Sequence, residues 1–236
     1  MVDELNKHDA KQLWPVSDIF SVLLAYPVAM VLLAYVENQI LGFKIGSHAP
    51  PGIYWLNHII YAAIFSLLPI IVVSRYYNAT PEDIGLTLKS FKKNIVVGFV
   101  AGLIVLVVVS LTHHGITYLL GESHDDSHVQ MLKMSKDPMR FFVGSFSMVL
   151  LAPLSEEIFC RGFAYTIFKK HYGKIAGVLL SSLLFAGLHL DIWNAPYFFI
   201  MGIGFALLFE RTKSLVPGIT AHTVINLSTV CLIMFG

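Results

Sequence analysis

The sequence predicts an all-α, polytopic transmembrane helical bundle of seven to eight helices, on two counts and one pattern. Hydrophobic residues make up 56% of the 236-residue chain. Charged residues make up 13%, about half the ~25% typical of a soluble domain. The pattern is a series of apolar runs near the ~20 residues that cross the hydrocarbon of a bilayer. These features exclude a soluble enzyme, a disordered tail and a nucleic-acid-binding domain. A net charge of +1 sets no preference for acidic or basic partners. The length suits one integral membrane domain spanning residues 1–236.

The runs fall at about 18–36, 53–73, 95–120, 141–168, 175–190, 196–209 and 215–235. Met1 to Ser17 is mixed in charge and lacks an Ala-x-Ala cleavage pattern, so the first run reads as a retained anchor, with Glu37 interfacial. His58 stands alone in the second run and reads as a packing residue. Pro81–Asn94 places Ile84, Leu86, Leu88 and Phe91 among charges. An amphipathic interfacial helix there would bring Lys92 and Lys93 to anionic headgroups; a solvated loop is the alternative. The loop 121–140, with His113 and His114 just before it, holds His124, Asp125, Asp126 and His128 without metal-ligand spacing, and is expected to be solvated. The fourth run is long enough to cross and project, whereas the fifth and sixth are short. Pro153 and Pro217 read as interruptions, tolerated only where protein or a water-filled cavity satisfies the freed backbone. Cys160 and Cys231 read as small hydrophobes in packed helices.

The loop cations predict orientation. Lys7, Lys11, Arg75, Lys89, Lys92, Lys93, Lys169, Lys170, Lys174, Arg211 and Lys213 make 11 on one side; Lys44, Lys133, Lys136 and Arg140 make 4 on the other. Seven spans then place the N-terminus in the cytoplasm and the C-terminus outside, and an eighth would flip the C-terminus.

Ionisable groups inside spans are costly and mark functional sites by default. Three groups qualify: Ser155 to Arg161 (SEEIFCR), Phe185 to His189 (FAGLH) and His222 to Asn226 (HTVIN). Glu157 and Arg161 stand i,i+4 and can pair on one face. Glu156 is turned about 100° from Glu157, so its partner comes from another helix or the carboxyl is protonated. His222 and Asn226 also project together, and His189 lies one turn after Phe185. At 1.5 Å per residue, Glu156 lies ~18 Å into its run, His189 ~21 Å, and His222 to Asn226 ~10–17 Å. The three groups can therefore share one layer at mid-bilayer. Glycines at 162, 187, 202 and 204 would let helices approach closely there.

Glu-Glu-x-x-x-Arg from Glu156 to Arg161, Phe-x-x-x-His from Phe185 to His189 and His-x-x-x-Asn from His222 to Asn226, in this order, resemble the CPBP family. This is the CAAX-protease and bacteriocin-processing group of intramembrane proteases, of Abi or Rce1 type. The resemblance covers about residues 141–230, the protease-like core. It implies an eight-helix fold and hydrolysis of peptide bonds within the bilayer, with a membrane-associated or lipidated peptide or protein as substrate and no nucleic acid as partner. It further implies that Glu156 is the general base activating water, that His189 holds that water, and that His222 and Asn226 stabilise the oxyanion. Glu157 and Arg161 become a supporting pair. Amide hydrolysis requires such a base, such donors and a proton for the leaving amine. Cys160 has no evident base on its face and is not expected to be a nucleophile.

Metal use stays open at this point. Glu156, His189 and His222 could ligate a divalent metal such as zinc, with water in the fourth place; a metal-free glutamate mechanism is slightly favoured. The competing functions are a transporter or proton relay using the buried Glu and His residues, and a non-catalytic immunity or scaffold protein. Transport predicts inverted-repeat symmetry, yet the first half has no counterpart of the three motifs; a scaffold would need no unpaired Glu156. The expected location is a bacterial or archaeal plasma membrane. Oligomeric state is not legible.

Overall fold

The computed structural model describes residues 14–39, 51–121, 127–135 and 137–235, and every regular element among them is helical. Three long helices come first: α1 (Ser17–Gln39), α2 (Pro51–Tyr76) and α3 (Phe91–Leu120). The short α4 (Ser127–Met134) follows. From Pro138 a helical rod combines α5 (Pro138–Phe146), a π-helical stretch Ser147–Leu151, α6 (Ala152–Glu157), a second π stretch Ile158–Tyr165 and α7 (Thr166–Leu188). The chain closes with α8 (Ala195–Thr212) and α9 (Val216–Phe235).

Among the described residues, five stretches are long and apolar enough to cross a membrane, and the chain is an integral membrane protein. One of them, Pro138–Leu188, has 51 residues and would measure ~77 Å as a straight helix, against ~30 Å of hydrocarbon. Gly173 divides it: at φ 82° and ψ 173° its backbone is non-helical, a conformation that glycine adopts without Cβ strain. The rod thus separates into the fourth and fifth apolar runs. Within 121–140, expected as a loop, the chain forms the helix α4, whose eight residues span ~12 Å, too short to cross. His124, Asp125 and Asp126 lie outside the described residues.

Pro153 accounts for the first of the two π stretches. Lacking an N–H, it leaves the carbonyl four residues earlier without its α-helical donor, and the one five earlier without its π-helical donor. Those carbonyls belong to Val149 and Met148. They accept instead from α9: Thr223 Oγ1 donates to Val149 O at 3.0 Å and Asn226 Nδ2 to Met148 O at 2.7 Å. The freed backbone of this interruption is satisfied by protein. Pro217 is not an interruption, because it sits in the first turn of α9, where a missing N–H costs nothing.

Close approach of backbones sets the helix pairing. At Gly98 of α3 an added Cβ would lie 2.5 Å from Pro217 O, and at Gly102 2.9 Å from Ala221 Cα, so α3 rides directly on α9. Gly202 of α8 faces Ser182 of α7 at 2.8 Å, and Gly162 faces Ile84 O at 2.8 Å. Gly204 is tight against Val105 at 3.0 Å. Gly187 is the exception among the expected glycines, with open space where a Cβ would be.

Pro81–Asn94 is not one amphipathic helix. It forms a 3-10 turn over Pro81–Ile84, then Gly85 at φ 81°, and α3 begins at Phe91. Ile84 is fully buried, and Leu215 N donates to Gly85 O at 2.9 Å. The segment is a plug tied to the α8–α9 junction. Beside it, Glu210 accepts from Tyr165, Lys169 and Lys213 at 2.6–2.9 Å. Burial raises the proton affinity of Glu210, but those hydrogen bonds outweigh it and hold the carboxyl at about 2.

Two outcomes are expected. Gly98→Ala should lower thermal stability by about 1–3 kcal/mol through backbone overlap, whereas Gly52→Ala, with nothing within 4 Å, should leave it unchanged in thermal unfolding. Because the folded Glu210 value lies below the ordinary 4.5, its stabilisation is complete above that value and lost as pH falls towards 2. Acid-unfolding curves should therefore differ between wild type and Glu210→Gln at pH 6 and converge near pH 2.

Candidate active site

The centre of the site is an ion pair with no access to solvent. Glu157 and Arg161 are both 0% exposed, and Arg161 Nη1 donates to Glu157 Oε1 at 2.7 Å. A second guanidinium nitrogen, Nη2, donates to Gly202 O at 3.2 Å. The guanidinium lies over the Phe185 ring at 4.4 Å and the Phe205 ring at 5.2 Å, so two π-faces replace part of its hydration. Glu157 has room only because α9 carries Gly218 opposite it, where a Cβ would fall 2.8 Å from Oε2. One ion pair thereby ties α6 and the second π stretch to α7, α8 and α9.

Glu156, the next residue, faces elsewhere, as its 100° offset requires. Its partner comes from another helix: the Tyr61 hydroxyl of α2 donates to Glu156 Oε1 at 2.8 Å. Tyr61 is the residue that sequence reasoning missed. The available signal was its spacing, three residues after His58 on one face of an otherwise apolar helix. His58 itself meets Ser147 Oγ at 2.8 Å through Nδ1.

His222 is buried between the two carboxylates. Its Nε2 is 3.9 Å from Glu156 Oε2 and its Nδ1 is 3.6 Å from Glu157 Oε1. Both separations exceed a hydrogen bond, and Glu156 Oε2, Glu157 Oε2 and His222 Nδ1 are buried without hydrogen-bond partners among the described residues. The imidazole is held by rings, near-parallel to Phe205 at 5.1 Å and edge-on to Phe185 at 5.6 Å. Four residues after His222, Asn226 has one amide hydrogen engaged by Met148 O.

His189 joins the cluster through aromatic contacts. It caps the C-terminus of α7 with Nδ1 2.9 Å from Phe185 O, stacks on Phe198 at 3.6 Å and meets Phe185 at 5.0 Å. The Phe185 ring therefore touches Arg161, His189 and His222. Cys160 is fully buried and Cys231 is exposed.

Among the described residues, no three His, Cys, Asp or Glu side chains gather so as to hold a metal ion.

Removing half of the buried pair should be severe. Arg161→Met strands the Glu157 carboxylate and should cost about 3–5 kcal/mol, while Glu157→Leu with Arg161→Met should recover most of it. Thermal unfolding in detergent of the single and double variants checks this; equal loss in both would mean that the pair is not the source of stability.

With this geometry in place, residues 138–228 match the family model for Type II CAAX prenyl endopeptidase Rce1-like proteins. The match contains all three motifs and bears out the resemblance to the CPBP group. No curated protein and no solved structure matches the chain.

Proposed function

On the premise that residues 138–228 are those of an Rce1-like protein, we propose that the chain is an intramembrane endopeptidase in which Glu156 activates a water molecule against a peptide carbonyl. The observation that carries this reading is the state of the Glu156 carboxylate. One oxygen is anchored by Tyr61, and the other is buried, unbonded among the described residues and 3.9 Å from the His222 imidazole. A carboxylate so placed is oriented but not neutralised by a cation, which is what a general base in a dry site requires.

The steps use only side chains of this chain. A water between Glu156 and the substrate carbonyl transfers a proton to Glu156 Oε2 as its oxygen bonds to the carbonyl carbon. The carbonyl oxygen becomes an oxyanion, which accepts hydrogen bonds from His222 and from the second amide hydrogen of Asn226. Collapse breaks the C–N bond, and Glu156 returns its proton to the leaving amine. With its Nδ1–H on Phe185 O, a neutral His189 presents Nε2 as an acceptor that orients the water. Glu157, paired with Arg161, lies 3.6 Å from His222 Nδ1, which leaves the Nε2 side of the imidazole facing Glu156 and the oxyanion. In this reading residues 1–236 form one membrane domain with the protease core at about 141–230. The substrate is a membrane-associated or lipidated peptide, and the N-terminus lies in the cytoplasm of a bacterium or archaeon.

Incubating the lipid-reconstituted protein with peptides bearing prenylated and unmodified C-termini, with mass spectrometry of the products, tests the reading. Cleavage should vanish in Glu156→Gln with folding intact, and Tyr61→Phe should lower kcat by roughly ten- to a hundredfold through misplacement of the base. Full activity in Glu156→Gln would overturn the assignment. A chelator arm reports metal dependence separately.

A further inference from the structure

The geometry points to a binding site for an anionic, phosphate-bearing headgroup in the cavity between the start of α3 and the α8–α9 junction, away from the Glu156 cluster. The cavity has a volume of about 440 Å³ and is lined by Lys89 and Lys93 from one side and by Arg211 and Lys213 from the other, with Ser214 and Glu82. Lys213 donates to Glu210 at 2.7 Å. Lys89, Lys93 and Arg211 make no ion pair with a carboxylate among the described residues. Three uncompensated cations therefore converge against one carboxylate, that of Glu82.

All four cations are solvent-exposed, so water screens their mutual repulsion, and an anion bound among them gains attraction from each. The fold also holds it in place, since Leu215 N on Gly85 O and buried Ile84 fasten the segment before α3 to the α8–α9 junction. Arg211 offers a planar fork that matches two phosphate oxygens, and the lysines supply point charges around it. The volume lies in the range of small-molecule sites, so it holds more than a bare phosphate. The same segment presents Leu88, 77% exposed, and Phe91, 45% exposed. An apolar margin beside a cationic cavity at the end of a membrane-spanning helix suits a phospholipid, whose headgroup enters the cavity while its chains follow α3.

The full-length protein in detergent should be titrated with phosphatidylglycerol, phosphatidylcholine and inorganic phosphate, reading the thermal midpoint and the lipid retained in native mass spectra. Phosphatidylglycerol should raise the midpoint and be retained, whereas phosphatidylcholine should do neither. Lys93→Gln with Arg211→Gln should weaken its binding by roughly tenfold per cation. Arg75→Gln with Lys92→Gln removes the same charge from exposed positions that do not line the cavity, and should bind as wild type. Arg211→Lys keeps the charge without the fork, and should lose part of the effect even if the double variant fails to fold. A midpoint shift with inorganic phosphate that the cavity variants abolish would assign the same site to a soluble phosphate compound. Equal weakening in both double variants, or no response to phosphatidylglycerol or phosphate, would overturn the proposal.

Discussion

The buried Glu157–Arg161 pair is the constraint on which the rest of the bundle depends. Two charges removed from water and lipid hold their place only when geometry and further hydrogen bonds offset desolvation. That demand reaches into three other helices: Gly202 of α8 supplies a carbonyl, Phe185 of α7 and Phe205 of α8 supply ring faces, and Gly218 of α9 supplies space. None of these positions could be filled by an arbitrary apolar residue of similar hydropathy. The pair acts as a register key that brings the carboxylates of α6 opposite the imidazole of α9.

A second device turns Glu156 to its partner. Pro153 interrupts the backbone ladder just before the double glutamate and just after the first π-helical stretch, and a second π-helical stretch follows α6. The carbonyls without their helical donors become the docking points for Thr223 and Asn226. One proline thus both irregularises the helix carrying Glu156 and fixes the helix carrying His222. With that docking in place, Glu156 meets α2, where Tyr61 holds it.

The molecule handles charge differently at its two levels. At the α7–α8–α9 end, Glu210 collects several lysines and a tyrosine in a partly exposed network, where each pair is worth little alone. In the interior, the one guanidinium pairs with Glu157 and not with the adjacent Glu156, and two carboxylate oxygens, the guanidinium Nε and an imidazole nitrogen are left without partners among the described residues. Unsatisfied buried polar atoms are costly, and their concentration beside one histidine separates this cluster from an ordinary structural ion pair.

Much of this was legible in the chain itself. Apolar run lengths are a one-dimensional property, so seven helical runs could be counted, and i,i+4 spacing is local geometry, so the Glu157–Arg161 pair could be named before any packing was known. Rise per residue put Glu156, His189 and His222 to Asn226 at one depth; the Phe185 ring that joins His189 to His222 had no such signal. What the sequence could not decide depends on neighbours distant in the chain. Tyr61 lies 95 residues from Glu156, and nothing within a span distinguishes a tyrosine that bonds a buried carboxylate from one that packs. Pro81–Asn94 has the composition of an interfacial helix, but Gly85 at positive φ and the pocket for Ile84 turn it into a plug. Gly187 and Gly98 look alike in sequence, yet only Gly98 meets a backbone. Local periodicity determined which segments are helices and which side chains share a face; packing between helices, a property of distances, decided which of those faces meet.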